Sequence, residues 1–135
     1  MTEQLVRDAM VSDPLALDAS ASAQDAAEAL SRPDVRAVFV TDDGRLTGVI
    51  TRKTLVREVV ARGLDPKTTR LGAFAEPPNA TIESTRVLAD AFAFLEENDY
   101  ERVPVVEDGR LVGVLSRSAV QRRLAEDEPP DPEAG

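Results

Sequence analysis

The most constraining feature of this 135-residue chain is that it repeats itself at a distance of 65 residues. Residues 38–52 align with residues 103–117 without a gap, and both segments contain Asp-Gly-Arg-Leu followed one residue later by Gly-Val. Two copies of one unit usually form one pseudo-symmetric body, because neither copy buries its apolar side alone. The repeat therefore predicts a duplicated fold with equivalent clefts between the copies.

Each copy is predicted to contain a strand, a helix, a β-hairpin and a second helix. In the first copy, Ser20 or Ser22 caps the middle helix, the Asp43-Gly44 pair supplies the positive φ angles of a tight turn, and the closing helix runs from Thr51 to Gly63. The predicted inner faces are Ala23, Ala26, Ala27 and Leu30 in the middle helix, and Leu55, Val56, Val59 and Val60 in the closing helix.

The second copy follows the same order with larger side chains. Its middle helix carries Leu88, Ala91, Phe92 and Leu95 on the inner face. The fold class is therefore α/β, with two β-α-β-β-α units related by pseudo-twofold symmetry. The predicted boundaries are residues 1–62 for the first repeat, 63–70 for a linker, 71–125 for the second repeat and 126–135 for a disordered, acidic, Pro-rich tail.

A short segment with helical spacing precedes each copy. The first is predicted as a helix that begins at Thr2 or Glu3 and ends by Ser12. Val6 in this segment aligns with Leu71 ahead of the second copy. Each unit is therefore expected to begin with an equivalent segment.

The composition excludes several classes of protein. The chain has no Cys and no His, so it lacks a disulfide frame, a thiolate nucleophile, an imidazole base and the commonest zinc ligand. Its carboxylate pairs lie in turns or at helix ends, without the spacing of a calcium loop. No catalytic residue, metal site or cofactor is predicted, and the protein is not expected to be an enzyme.

The charge distribution bears on the partners. The net charge of −9 is concentrated at the end of the chain, because residues 126–135 contribute five acids and residues 1–125 carry only −4. An acidic chain with four Phe and one Tyr is not typical of nucleic-acid binding. No apolar run reaches about 18 residues, and the first residues lack the pattern of a signal peptide. We therefore expect a cytoplasmic protein with no membrane partner.

Residues 102–116 read Arg-Val-Pro-Val-Val-Glu-Asp-Gly-Arg-Leu-Val-Gly-Val-Leu-Ser, and this string resembles the hairpin motif of cystathionine-β-synthase (CBS) domains. The first copy resembles it more loosely, since Phe39 replaces a frequent Pro, but it keeps Gly48-Val49-Ile50-Thr51. The resemblance extends over residues 5–125. It implies a tandem CBS pair, also called a Bateman module.

This resemblance implies a regulatory module. It would bind an adenosine nucleotide (AMP, ADP or ATP) or S-adenosylmethionine in a cleft between the two motifs and signal to an effector protein, as a homodimer. Hydroxyls at the two helix starts would meet a phosphate, helped by free backbone N–H groups and nearby bases. The implied ligand-binding residues are Thr51, Arg52, Lys53, Thr54, Val38, Ser116, Arg117, Arg102, Val103 and Pro104.

Two departures from the family pattern keep an alternative open. The family's nucleotide-binding copies place an Asp three residues after the hydroxyl, where it grips the ribose, but this chain has Thr54 and Ala119 there. Losing such a charge-assisted contact costs about 1.5–3 kcal/mol per bond. The alternative is a degenerate CBS pair that acts as a ligand-free dimerisation or protein-interaction scaffold.

The candidate residues also have structural interpretations. Thr51 and Ser116 are good N-cap residues without any ligand. Arg102 is placed to seek a phosphate, or simply to pair with Glu101 or Glu97 on the surface.

Overall fold

The computed structural model describes residues 3–127. By their contacts, these residues form two compact units, and neither unit is continuous in sequence. The first unit consists of Asp13–Asn79 and Asp108–Leu111, and the second consists of the residues up to Ser12, Ala80–Glu107 and the residues from Val112 onward. The boundaries at 62, 70 and 125, which follow chain order, stay a prediction.

The first unit combines a small sheet with two helical elements. The elements are β2 (Ala16–Asp18), α2 (Ala23–Leu30), β3 (Val38–Asp42), β4 (Arg45–Ile50), α3 (Arg52–Leu55), a π-helical continuation of α3 (Val56–Val60) and a 3-10 turn (Leu71–Ala73), numbered in chain order over both units. Strand β2 runs parallel to β3, and β3 pairs antiparallel with β4.

The second unit has the same kinds of element. The elements are α1 (Val6–Ala9), β1 (Val11–Ser12), β5 (Ile82–Glu83), α4 (Leu88–Glu97), β6 (Arg102–Glu107), β7 (Arg110–Ser116) and α5 (Arg117–Asp127). Strand β5 runs parallel to β6, β6 is hydrogen-bonded to β7, and β1 pairs antiparallel with β7. The predicted mixed α/β class is confirmed.

The turn and cap predictions are confirmed in detail. Asp43 and Gly44 have φ angles of 53° and 81°, and Asp108 and Gly109 have 51° and 81°. These left-handed conformations match the right-handed twist of the hairpin strands. Ser22, rather than Ser20, caps α2, since its hydroxyl accepts a hydrogen bond from the backbone N–H of Asp25.

The leading segments, residues 4–10 and 69–75, do not belong to the units of their own copies. Val6 lies in the core of the second unit and Leu71 in the core of the first, and both side chains are fully buried. The N–H of Val6 donates to the C=O of Arg86 at 2.9 Å, and the N–H of Leu71 donates to the C=O of Ala21 at 2.9 Å. The two contacts are related by the 65-residue offset, so the two segments are structurally equivalent as predicted. Each segment, however, packs in the unit that contains the other copy of the repeat.

The predicted helix ahead of Ser12 is shorter than expected. Among residues 3–12 only Val6–Ala9 is helical, and Val11–Ser12 forms β1, while Thr2, one of the two predicted helix starts, lies outside the described residues. The helix ends because Val11 pairs with Val114 of β7, so tertiary pairing overrides the helical spacing of the sequence.

The inner face of the first unit's closing helix is narrower than predicted. Leu55 and Val59 are buried, whereas Val56 and Val60 are 57% and 70% exposed. Ala27 of α2 is exposed as well. The prediction that Val56, Val60 and Ala27 face the core was therefore wrong. The core-facing side of α2 consists largely of small alanines, which cover Leu55 and Val59 and nothing further along the closing helix.

The predicted tail is described only in part. Glu126 lies in α5, which extends to Asp127, so the helix continues past the predicted boundary at residue 125. Residues 128–135 lie outside the described part of the chain. Among the described residues, no helix is both long and apolar enough to cross a bilayer.

The fold makes a prediction about two leucines. Leu95 is completely buried in the second unit, whereas Leu15 is 40% exposed. Leu95→Ala should lower the free energy of unfolding by about 2–5 kcal/mol, because it leaves a cavity in the core, and Leu15→Ala should cost less than about 1 kcal/mol. Urea denaturation followed by circular dichroism measures both. Equal losses would contradict the described core.

Candidate functional site

Thr51 joins β4 to α3 and caps the helix. Its Oγ1 accepts a hydrogen bond from the N–H of Thr54 at 3.3 Å, and the Thr54 Oγ1 accepts one from the N–H of Thr51 at 3.3 Å. The two hydroxyl oxygens are 3.0 Å apart. Thr54, which is only 2% exposed, thus completes a reciprocal capping box and does not face solvent as a free ribose contact.

This arrangement leaves one hydroxyl proton of the pair unused. A buried hydroxyl requires a partner, and either hydroxyl of this pair can be the donor. When Thr54 donates, the hydroxyl proton of the partly exposed Thr51 remains available for an external acceptor. The cap and an anion contact at Thr51 are therefore compatible.

The first turn of α3 carries two basic residues. Arg52 and Lys53 are both exposed, and the guanidinium of Arg52 donates to the backbone C=O of Arg32 at 2.9 Å. Within residues 3–127, neither side chain forms an ion pair with a carboxylate. Because a helix start already carries a partial positive charge, these cations do not complement it, and the start of α3 is locally electropositive.

The corresponding place in the second unit has the opposite electrostatic character. Ser116 caps α5 by accepting one hydrogen bond from the N–H of Ala119 at 3.2 Å. Ala119 has no side-chain oxygen, so it cannot accept the reciprocal bond from the N–H of Ser116. The guanidinium of Arg117 pairs with Asp99 at 3.1 Å and Glu101 at 3.3 Å. The hydrogen bond that Arg117 donates to Asp99 raises the pKa of Arg117, and the negative charge of Glu101 raises it further. Arg117 therefore stays protonated, and its positive charge is balanced by Asp99 and Glu101.

Sequence reasoning missed the two carboxylates, although the hairpin contained the signal. In an antiparallel pair, the residue before the first strand lies beside the residue after the second, and the N–H of Arg117 indeed donates to the C=O of Glu101 at 2.8 Å. In the first copy, Arg36 occupies the position of Glu101, and Asp34, the counterpart of Asp99, pairs with Arg32.

The remaining candidates are distributed differently. Arg102 is exposed, and within residues 3–127 it forms an ion pair with neither Glu101 nor Glu97, because Glu101 pairs with Arg117. The predicted surface pairing of Arg102 was therefore wrong. Val38 and Val103 lie in the cores of the first and second unit, and Pro104 is buried. That these three residues contact a ligand stays a prediction, because their side chains are buried against other protein residues.

Comparison with known proteins identifies the family. The sequence model of the CBS domain matches residues 6–61 and again residues 71–126. The chain belongs to the CBS domain family. The two matches follow the 65-residue register of the repeat, so both copies are CBS motifs in tandem.

Several proteins are similar over most of their length. Hypoxic response protein 1 of Mycobacterium tuberculosis is 31% identical over 102 residues, which cover 75% of this chain and 71% of the relative. A crystal structure of Hypoxic Response Protein I with two coordinated zinc ions has a TM-score of 0.74 and 26% identity, and covers 89% of this chain and 98% of its own. CBSX2 in complex with AMP has a TM-score of 0.70 and 26% identity, with coverages of 90% and 96%.

The two caps of the CBS motifs are predicted to differ in strength. Ser116→Ala should lower the free energy of unfolding by about 1 kcal/mol, the usual loss for an N-cap. Thr51→Ala should cost about 1–3 kcal/mol more, because the buried hydroxyl of Thr54 loses its acceptor. Thr51→Ser is the matched control and should stay close to wild type. Equal losses for the two alanine variants in urea denaturation would argue against the reciprocal box.

Proposed function

We propose that this protein is a regulatory ligand-sensing module that binds an adenosine nucleotide (AMP, ADP or ATP) or S-adenosylmethionine at the start of α3. Paired CBS domains are regulatory modules, and the similar CBSX2 binds AMP. The observation that carries the proposal is the electropositive helix start, where Thr51, Arg52 and Lys53 lie together without a carboxylate partner in the described chain. An anionic phosphate complements that charge.

Electrostatics favours the first CBS motif over the second. A phosphate approaching Ser116 would meet Asp99 and Glu101, which already occupy Arg117, and it would have to displace one of them. A phosphate approaching Thr51 meets no such competitor among the described residues. The second motif matches the hairpin sequence of the family more closely, but the charges around its helix start disfavour a phosphate. We therefore place the ligand at the first motif.

The proposed role is sensing without catalysis. A bound ligand signals only if it binds two states of the protein with different affinity, and an effector protein then reads the shift in their populations. We place this activity in the cytoplasm. We propose no zinc site, although the similar structure contains two zinc ions, because this chain has neither His nor Cys.

Ligand binding should depend on the two bases of the first motif. In isothermal titration calorimetry, at least one of AMP, ADP, ATP and S-adenosylmethionine should bind the wild type. Arg52→Ala combined with Lys53→Ala should weaken that binding by at least about tenfold, since charge-assisted contacts to phosphate are each worth about 1.5–3 kcal/mol. If none of the four ligands binds at submillimolar concentration, the proposal is wrong.

Arg117→Ala supplies the matched control for this experiment. It removes the aligned base of the second motif, and it should change affinity by less than about twofold, because its charge is already matched by Asp99 and Glu101. Thermal unfolding of each variant confirms that the fold survives. A larger effect of Arg117→Ala than of the Arg52 and Lys53 change would assign the ligand to the second motif.

A ligand-free scaffold is the second candidate function. The observation that favours it is the absence of a carboxylate at both ribose positions, since Thr54 is buried in the capping box and Ala119 has no polar side-chain atom. This function predicts no binding of any of the four ligands by calorimetry. It also predicts that Thr51→Ala and Ser116→Ala change stability but leave binding to a protein partner intact.

We also propose that the protein forms a homodimer. Val56, Val60 and Leu64 of the first unit are all more than 40% exposed, although they are large and apolar. Exposed apolar residues that cluster in one region favour a protein–protein contact.

A further inference from the structure

The start of α3 and the loop that precedes β3 differ in charge from the same places in the second copy. Residues 32–37 and 51–54 contain four bases and one acid, whereas the aligned residues 97–102 and 116–119 contain two bases and three acids. The local net charge is therefore +3 in the first copy and −1 in the second. This surplus of positive charge lies in a chain whose net charge is −9.

One charge reversal replaces an ion pair by two like charges. In the second unit, Glu101 pairs with Arg117 at 3.3 Å, and its C=O accepts a hydrogen bond from the N–H of Arg117 at 2.8 Å. The first copy has Arg36 and Arg52 at these two positions, and both are exposed. Like charges on neighbouring segments of a hairpin disfavour each other. A bound anion at this place would offset their repulsion.

A second reversal occupies the one acid of this region. Arg32 stands where the second copy has Glu97, and it pairs with Asp34 at 3.3 Å. The counterpart of Asp34, Asp99, pairs instead with the arginine of the helix start. The C=O of Arg32 also accepts a hydrogen bond from the guanidinium of Arg52 at 2.9 Å. This bond joins the loop to the start of α3, while the acid of the loop is already in use.

Three bases of the region remain without a carboxylate. Arg36, Arg52 and Lys53 form no ion pair with an acid within residues 3–127. A phosphate monoester carries at most about two negative charges near neutral pH, so a single phosphate leaves part of this charge unmatched. A diphosphate or triphosphate chain carries more charge, and its length allows it to contact more than one base.

A sugar finds no comparable partner at the same helix start. Thr54 is 2% exposed, and its Oγ1 accepts a hydrogen bond from the N–H of Thr51 and lies 3.0 Å from the Oγ1 of Thr51. The helix α3 contains no acidic residue. Ribose hydroxyls, which donate hydrogen bonds, therefore meet no charged acceptor in α3. The property that this place can recognise is negative charge.

We propose that the first motif recognises a polyphosphate chain, so that its ligand is a nucleoside diphosphate or triphosphate held by Arg36, Arg52 and Lys53. A nucleoside monophosphate binds more weakly, and a phosphate-free adenosyl compound binds least. The inference rests on the proposed function and names the ligand class of the same site. It also adds Arg36 to the binding residues.

A series of ligands in isothermal titration calorimetry, without divalent cations, tests the number of phosphates. ATP should bind at least about tenfold more tightly than AMP, with ADP between them, because each further charge-assisted contact is worth about a factor of ten or more. 2′-Deoxy-ATP should match ATP within about threefold, since the sugar lacks a charged acceptor. Inorganic tripolyphosphate should bind within about tenfold of ATP, because it carries the same recognised group. AMP as tight as ATP, or no binding of tripolyphosphate, overturns the inference.

Three variants test the role of Arg36. Arg36→Glu introduces the acid of the second copy and should weaken ATP binding by at least about tenfold, whereas Arg36→Lys keeps the charge and should stay within about threefold of wild type. Arg122→Glu in α5 of the second unit makes the same change in net charge and should change the affinity by less than about twofold. Equal losses for the two glutamate variants would overturn the role of Arg36. Arg36 is exposed, so its variants should fold, and thermal unfolding verifies this.

The outcomes separate this inference from the function on which it rests. If none of AMP, ADP, ATP and S-adenosylmethionine binds at submillimolar concentration, both are wrong. If AMP or S-adenosylmethionine binds at least as tightly as ATP, ligand sensing stands and only the polyphosphate class is wrong. The ratio of the ATP and AMP affinities should also shrink as salt is raised from about 0.05 to about 0.5 M, because salt screens exposed charges. A ratio that does not change with salt would contradict recognition by charge.

Discussion

Burial of one leading segment in each core is the contact on which both units depend. Val6 and Leu71 are fully buried, and each is fixed by backbone hydrogen bonds at the same offset. A copy of about sixty residues has little apolar surface to bury, and without this segment its sheet and helices would expose one side of the core. Because each segment precedes the other copy in the sequence, each unit is built from residues of both copies of the repeat.

The sequence was informative wherever the determinants are local. The Asp43-Gly44 and Asp108-Gly109 turns, the caps at Thr51 and Ser116 and the stop at Gly63 each depend on a few neighbouring residues and were predicted correctly. For the cap of α2 the sequence left Ser20 and Ser22 open, and the structure has Ser22. Predictions failed where a distant element decides. The early helix gave way to a strand because Val11 meets Val114, and Val56 and Val60 are exposed because little of α2 covers them.

The candidate site shows the same difference between locally determined features and features that depend on distant residues. That Thr51 and Ser116 would begin helices was readable from the sequence. That Thr54 would turn inward to complete a capping box, or that Asp99 and Glu101 would pair with Arg117, depends on burial and on the register of the hairpin. These contacts make the two motifs differ in charge, although their backbone elements and caps are nearly the same. The first motif keeps its bases available, and the second uses the aligned arginine internally.

The exchanged leading segments also bear on how such a chain could arise. A polypeptide with a single motif of this design has no second copy to complete its core. Two such chains could each complete the other by trading their first segments, as in a domain-swapped dimer. Duplication and fusion then turn an association between molecules into one within a molecule, where the effective concentration of the missing segment is set by a short connection and no longer by the amount of protein. In this tandem chain, each core is completed by a segment that the same molecule supplies.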